Sequence, residues 1–385
     1  MIRYGSIIPL IGGMTLGNKM AFETDPLFFA SYPAFGDNES LFYNYMPNVP
    51  RFNLEEQDVN INEIDVVTST CPCAGLSMMN ASPSRGANAP QNKWLFESAE
   101  YVLNKIKPRV FFGENAPGLY TNLGKEVADK LYEIGKKYGY SFSLIRTNTA
   151  LHGIPQKRIR TFYFFWNTTT APIMNYYNRE SKHFIEFLKE IPSDASFNTP
   201  VADQSNDASL IYLLKKLDTS KLFVNRSTIE TILHENLYDD FHSYLETTDN
   251  TKELKKLEFI KSKLDMNKGF WNSFPHLMNP EEPNAGSVTG RSMDRMIHPI
   301  EKRTFTYREY MHLMGLPHDF QLIDAKKDLN KIAQNVPTCT ARDMSLEVKK
   351  FLKGELEQSS TDYLRQNNIS QTIDKIEKKK AFSVL

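Results

Sequence analysis

The sequence predicts an α/β protein: a parallel sheet with helices on both faces, plus a second, smaller domain. Three observations predict it. Residues 1–166 alternate apolar bursts with amphipathic stretches, the pattern of strands joined by crossover helices and covered on both faces. From residue 167 to about 300 the texture turns polar and weakly periodic, with Asn/Asp/Ser/Thr clusters at Pro200–Ser209 and Thr247–Thr251. From Arg303 helical spacing returns. The expected organisation is therefore a discontinuous first domain, 1–166 with 303–385, around a middle domain, 167–302.

Element by element, Ser6–Ile11 and Leu27–Tyr32 read as strands, and Met14–Phe22 and Glu39–Tyr45 as helices. Ile64–Thr68 is the next apolar burst and runs straight into a cysteine segment. Lys93–Ile106 has helical spacing through Trp94, Leu95, Ala99, Val102, Leu103 and Ile106. Arg109–Gly113 is a strand, and Leu123–Tyr138 is a helix with Val127, Leu131 and Ile134 on one face. Ser141–Ile145 and Thr161–Trp166 are strands, and Tyr307–Met314 and Thr340–Leu352 are helices. The stretch 355–385 is polar, Lys-rich at Lys378–Lys380, and reads as a solvated helix or tail.

Composition narrows the function classes. Forty-six basic residues balance forty-six acidic ones, which argues against a globally basic nucleic-acid coat and leaves a local basic groove open. There is no apolar run of membrane-spanning length, and the N-terminus reads as a first strand, not a signal peptide. Three cysteines cannot build a disulfide scaffold, so a reducing, cytoplasmic setting is expected. The histidines form no Cys/His cluster, and no metal is expected.

Chemistry in such sheets sits at the carboxyl ends of strands. Two segments fall there: Thr70-Cys-Pro-Cys-Ala-Gly-Leu-Ser77 and Gly113-Glu114-Asn115-Ala116. Cys71 and Cys73 are each either a small buried hydrophobe or a nucleophile. Gln156-Lys-Arg158-Ile-Arg160 is extended, so both arginines share a face. Residues 78–92 form a polar Gly/Ser/Pro/Asn loop of the kind that is functional or mobile.

The ordered set of segments resembles the DNA (cytosine-5)-methyltransferase family. It runs from Leu10-Ile-Gly-Gly13 through Pro72-Cys73-Ala-Gly-Leu-Ser77, Glu114-Asn115 and Gln156-x-Arg158-x-Arg160 to Arg303-Thr-Phe-Thr-Tyr-Arg-Glu309 and Gln334-Asn335-Val336-Pro337. The resemblance covers about 1–166 and 298–350. It implies a Rossmann-like, S-adenosylmethionine-dependent catalytic domain, with 167–302 as an inserted target-recognition domain. It further implies that Cys73 adds to C6 of cytosine, that Glu114 stabilises charge at N3, that Arg160 bonds the cytosine O2 and that Arg158 holds Glu114 or the thiolate region. Cys71 is then packing. Since a base inside a duplex is inaccessible, the target must be flipped out. Ser77, Arg85 and Gln156 are expected near the DNA, with Gln156 fixing its loop. Arg291, Arg295, Lys302 and Arg303 are candidates to line the DNA cleft.

For the cofactor the resemblance implies Pro9, Leu10, Ile11, Gly12 and Gly13, with Asp58-Val59, Pro72, Asn335 and Val336. Here the sequence departs from the pattern. Ser6 stands at the family's acidic position and Leu10 at its first glycine. The acidic residue expected to hold the ribose after the second strand is missing: Ala34-Phe35 fall there, and Asp37 is the nearest carboxylate. The implied setting is restriction–modification or phage self-protection, with double-stranded DNA as substrate and a separate cognate restriction endonuclease as partner. Two alternatives stay open: a tRNA cytosine-5 methyltransferase, which the long middle domain disfavours, and a catalytically weak DNA-binding regulatory relative.

Overall fold

β1 (Tyr4–Ile7) is buried at every residue and lies between β2 (Phe29–Ser31) and β4 (Val66–Ser69), parallel to both. This computed structural model describes the whole chain except 36–38, 78–79, 81, 83, 218–226, 267–273, 291, 370–371 and 376–385. Beyond β2 comes β3 (Arg51–Asn53), which is parallel to it. Beyond β4 comes β5 (Val110–Asn115), also parallel. β7 (Ile159–Trp166) then inserts antiparallel between β5 and β6 (Ser141–Asn148). β10 (Tyr363–Asn367) and β11 (Thr372–Lys375) extend the sheet past β6. Among the described residues the order is β11-β10-β6-β7-β5-β4-β1-β2-β3.

Both faces of this sheet are covered, which is why its central strands are apolar almost without interruption. On one face, Phe111 and Phe165 stack with ring centroids 5.5 Å apart, under α3 (Asn92–Tyr101) and α4 (Lys125–Lys137). On the other, Phe112 and Phe164 stack at 5.1 Å and pack with Met344 and Val348 of α12 (Thr338–Leu352). Such ring pairs add about 0.5–1.5 kcal/mol each beyond their area burial. α12 also lies along α1 (Gly13–Phe22), so the returning segment packs back onto the first helix.

Between β7 and the return, the regular elements among the described residues are chiefly helices. α5 (Phe184–Leu188) packs with α2 (Glu39–Tyr45), α10 (Tyr307–Leu313) and α11 (Ala325–Gln334) in a second core. α6 (Ala208–Lys216), α7 (Thr228–His234), α8 (Tyr238–Thr247) and α9 (Thr251–Asp265) close around a separate core with Phe274, Leu277 and Ile297. A short parallel pair, β8 (His276–Leu277) and β9 (Met296–Ile297), sits beneath it. No described helix is long and apolar enough to cross a membrane.

β3 has no signature in the sequence, because three residues, Arg-Phe-Asn, carry no periodicity. One expectation is corrected. The stretch after residue 355 is not a solvated tail over its described part. Tyr363 and Leu364 are buried, the Tyr363 ring stacks on Tyr132 at 5.2 Å, and the Gln366 amide accepts from Met174 N (2.9 Å) and donates to Met174 O (2.8 Å). Residues 376–385, with the Lys378–Lys380 run, lie outside the described residues. Ending the chain at residue 355 therefore exposes the β6 edge. Thermal unfolding of that truncation should begin several degrees below the full chain, since each kcal/mol lost is worth about 2–4 °C even in larger domains. An unchanged transition would restore the tail reading.

Candidate active site

The loop after β1 is tight. Ile8 and Leu10 both have φ of 51°, and Gly12 has φ of 102°. Leu10 thus keeps the left-handed conformation that glycine adopts freely, at a cost of order 1–2 kcal/mol. Gly13 begins α1, where a Cβ would lie 2.0 Å from Val336 O and 2.4 Å from Asn335 Nδ2. The Gly13 N–H donates to Asn335 Oδ1 (2.8 Å), while the buried Nδ2 of Asn335 has no protein partner. Ser6, at the position where an acid was expected, joins a buried hydroxyl network with Thr15 (3.1 Å) and Thr68 (3.0 Å). Pro9 and Ile11 are buried, Leu10 and Pro72 half-buried, and Val336 fully enclosed.

β4 ends at Ser69, and the chain turns through Cys71, Pro72 and Cys73 into a short 3₁₀ turn at Ala74–Leu76. Cys71 points into the core: its thiol lies 3.0 Å from Ser69 Oγ and donates to Trp94 O (3.6 Å). Cys73 is half-buried. Burial pushes its thiol pKa up, the Glu114 carboxylate adds to that, and Arg160 and Arg158 act against it. Register carries Glu114 to the neighbouring position. It sits near the end of β5, 2% exposed, and Arg160 Nε on adjacent β7 lies 2.7 Å from its Oε1. Burial raises the Glu114 pKa, and the two arginines pull it down without prevailing. Asn115 donates nothing from its buried Nδ2, and its Oδ1 accepts from Ala116 N (2.9 Å). Buried polar atoms are rarely left unpaired, and here two amide nitrogens, Asn115 Nδ2 and Asn335 Nδ2, have no partner.

Arg158 is placed differently from the expectation. Its guanidinium is 1% exposed and donates to Val288 O (2.6 Å), Ala333 O (2.8 Å) and Asn335 O (2.8 Å). It stays close enough to Glu114 and Cys73 to act on both charges, but its hydrogen bonds go to main-chain carbonyls. Gln156, expected among the DNA-facing residues, is fully buried. Its Nε2 donates to Leu313 O (2.7 Å) and its Oε1 accepts from Val288 N (3.2 Å), so it fixes its loop. A polar side chain with both ends satisfied inside the protein offers DNA nothing.

The cysteine segment and the following loop are stitched together by Gly86 N donating to Gly75 O (2.8 Å) and by Asn92 Nδ2 donating to Gly86 O (2.7 Å). Ser77 is half-buried at the start of this loop, and Arg85 is exposed, donating to Asn80 O (3.3 Å). Of the basic candidates downstream, Arg303 is committed: it clamps Glu309 through two 2.8 Å bonds, and Glu309 closes the capping box of α10 with Thr306. Arg291 and Asp37 lie outside the described residues. Asp58 is exposed and pairs with Lys105 at 3.4 Å, and Val59 N donates to Tyr101 Oη (2.7 Å). One described grouping, His298 with Glu301 and Glu309, has metal-like proximity. Arg303 already occupies both of its carboxylates.

A thiol, a buried carboxylate and a guanidinium meeting over the carboxyl ends of a parallel sheet form a site suited to nucleophilic chemistry. Residues 3–350 match the C-5 cytosine-specific DNA methylase family, and the chain belongs to it. It is 26% identical over 264 residues to a type II methyltransferase of Methanocaldococcus jannaschii, covering 67% of this chain and 66% of that one. It is 22% identical over 320 residues to type II methyltransferase M.PspPI of a Psychrobacter species, covering 79% and 69%. The match thus spans about two thirds of these relatives' own length. Among solved structures, the Entamoeba histolytica methyltransferase EhMeth has the same fold, with a TM-score of 0.57 at 12% identity over 91% of this chain and 99% of that one. A methyltransferase encoded in an Escherichia coli prophage gives 0.55 at 15% identity over 92% and 100%.

The raised Glu114 pKa has a consequence for stability. A carboxyl that binds its proton more tightly when folded stabilises the fold fully at acid pH, and that contribution is lost as pH rises through the folded value. Glu114→Gln keeps the neutral form at all pH. The variant's stability advantage over the wild type should therefore grow as pH climbs from the ordinary glutamate value, 4.5, toward neutrality. Each tenfold gain in proton affinity on folding is worth about 1.4 kcal/mol, which bounds the effect. Denaturant midpoints of the two proteins at several pH values measure it; a gap that shrinks with pH would reverse the assigned sign.

Proposed function

We propose that this chain transfers a methyl group from S-adenosylmethionine to C5 of a flipped-out cytosine in double-stranded DNA, through a covalent Cys73–C6 adduct. The observation that carries this reading is the convergence of Cys73, Glu114 and Arg160 at adjacent strand ends, with Arg160 2.7 Å from Glu114.

The residues fit the cofactor. Gly12 and Gly13 let the loop pack directly on Leu41 and on Val336 and Asn335, where any Cβ would collide, and the unpartnered Asn335 Nδ2 supplies a buried donor for an anionic or carbonyl group. Pro9 to Gly13, Pro72, Asn335 and Val336 would hold it, with Asp58 and Val59 toward the adenine end. The sulfonium supplies an electrophilic methyl when bound. The chain's residues do the rest. In its protonated form, which burial favours, Glu114 donates to N3 of the ring, and Arg160 bonds O2; both favour electron flow away from C6. Holding that proton also removes the carboxylate charge that opposes ionisation of Cys73. The thiol proton passes to water, and the sulfur forms a bond to C6. C5 becomes an enamine carbon and takes the methyl group. Water takes the C5 proton, the S–C6 bond breaks, and the released thiolate regains a proton. The net exchange is one methyl for one proton.

In this reading, the 78–92 loop with Ser77 and Arg85 closes on DNA, and the helical 167–302 region reads the target sequence. The type II methyltransferase names of the relatives support a role as the modification partner of a restriction endonuclease.

A duplex containing 5-fluorocytosine tests the chemistry, because fluorine cannot leave as a proton. With S-adenosylmethionine present, the wild type should form a denaturant-stable protein–DNA adduct on gels, and Cys73→Ser should form none. An adduct that survives Cys73→Ser would remove it as the nucleophile.

A further inference from the structure

A cavity of about 440 Å³ opens at the carboxyl ends of β1, β2 and β3, within the range of small-ligand sites. Pro9 joins it to the loop that leads to Gly12 and Gly13. Phe29, Tyr32 and Phe42 give it aromatic walls, and Ser31, Asn53 and Gln57 give it a polar rim. Among the described residues no carboxylate lines it; the charged residue there is Arg51, whose guanidinium lies 3.9 Å from the Phe42 ring centroid.

Resting on the cofactor reading above, we infer that this cavity takes the adenosyl half of the methyl donor and that its ribose hydroxyls are bound by the neutral amides of Asn53 and Gln57. The geometry is local. Ser31 and Asn53 are register partners at the ends of β2 and β3. The chain then turns back, with Gln57 N donating to Asn53 O (2.9 Å), so Gln57 returns to the same rim. Asn53 Oδ1 is taken by Glu55 N (3.1 Å), which leaves Nδ2 as a donor. Gln57 carries both an acceptor and donors. A vicinal diol needs both kinds of partner: one hydroxyl oxygen accepts from Asn53, and its proton goes to Gln57 Oε1. The aromatic walls suit a purine face. Asp58, the next residue, is paired with Lys105 and is not part of the lining.

The test is calorimetric binding of S-adenosylhomocysteine and of its 2′,3′-dideoxy analogue to the full chain. The wild type should prefer the parent compound by roughly tenfold or more, the worth of two hydrogen bonds. Asn53→Ala with Gln57→Ala should bind the dideoxy analogue as before and lose the preference. Asp58→Ala and Asp37→Ala should leave the preference intact, whatever they do to overall affinity. A double variant with the wild-type preference overturns the inference, as does loss of the preference in Asp37→Ala. Should the double variant bind neither ligand, Gln57→Ala alone decides: its side chain is exposed, and it must lose at least about threefold of the preference. A wild type that binds neither ligand overturns the cofactor reading itself, a different result from the others.

Discussion

The buried guanidinium of Arg158 is the constraint on which the rest of the site depends. A charge this deep needs hydrogen-bond acceptors around it, and breaking such an arrangement costs about 3–5 kcal/mol. Three carbonyls from two distant segments serve its two terminal nitrogens, with Nε left unpartnered: Val288, between β8 and β9, and Ala333 and Asn335, at the end of α11. One side chain therefore ties the start of β7 to the middle region and to the returning segment. Its reach goes further. The carbonyl of Asn335 accepts from Arg158 while its side chain accepts from Gly13 N. The loop that would cradle the cofactor and the strand that carries Arg160 are two bonds apart.

That arrangement leaves the reactive groups under electrostatic tension. Glu114 is enclosed with its pKa raised, and Cys73 is held as a thiol by burial and by that same carboxylate. The raised Glu114 pKa costs stability at neutral pH, and the buried amide nitrogens of Asn115 and Asn335 lack partners. Atoms left unsatisfied in an otherwise paired interior are expected where a ligand completes the bonding. In the proposed mechanism, a base that engages Glu114 would relieve the carboxylate and the thiol together, so substrate entry and nucleophile activation would become one event.

Much of this was legible in the sequence because the chemistry falls at strand ends, and strand ends follow apolar bursts such as Ile64–Thr68 and Arg109–Gly113. Pairing then did what spacing could not: it set Glu114 opposite Phe162, and Arg160, two residues along β7, reaches its carboxylate. What stayed hidden depends on contacts between residues far apart in sequence. Nothing local distinguishes Arg158, bonded to carbonyls, from Arg160, two residues on. Gln156 looks like a surface amide until Leu313 and Val288 enclose it. β3 and β10 are short and polar, and they form because a neighbouring strand offers an edge; Tyr363 and Leu364 were the signal available, two large apolar residues in a polar stretch. Leu10 shows the reverse case, where a missing glycine suggested an altered loop and the backbone kept the left-handed turn regardless.

The central claim is that a sulfur adds to a cytosine ring so that C5 becomes the methyl acceptor. Its most direct test is the product. Duplex DNA incubated with the chain and S-adenosylmethionine carrying a labelled methyl group is digested to nucleosides, and the labelled species is identified by chromatography and mass spectrometry. The account predicts 5-methyldeoxycytidine as the labelled nucleoside. Label on the exocyclic nitrogen of cytosine or adenine would contradict it, because no addition at C6 is needed to methylate an amine.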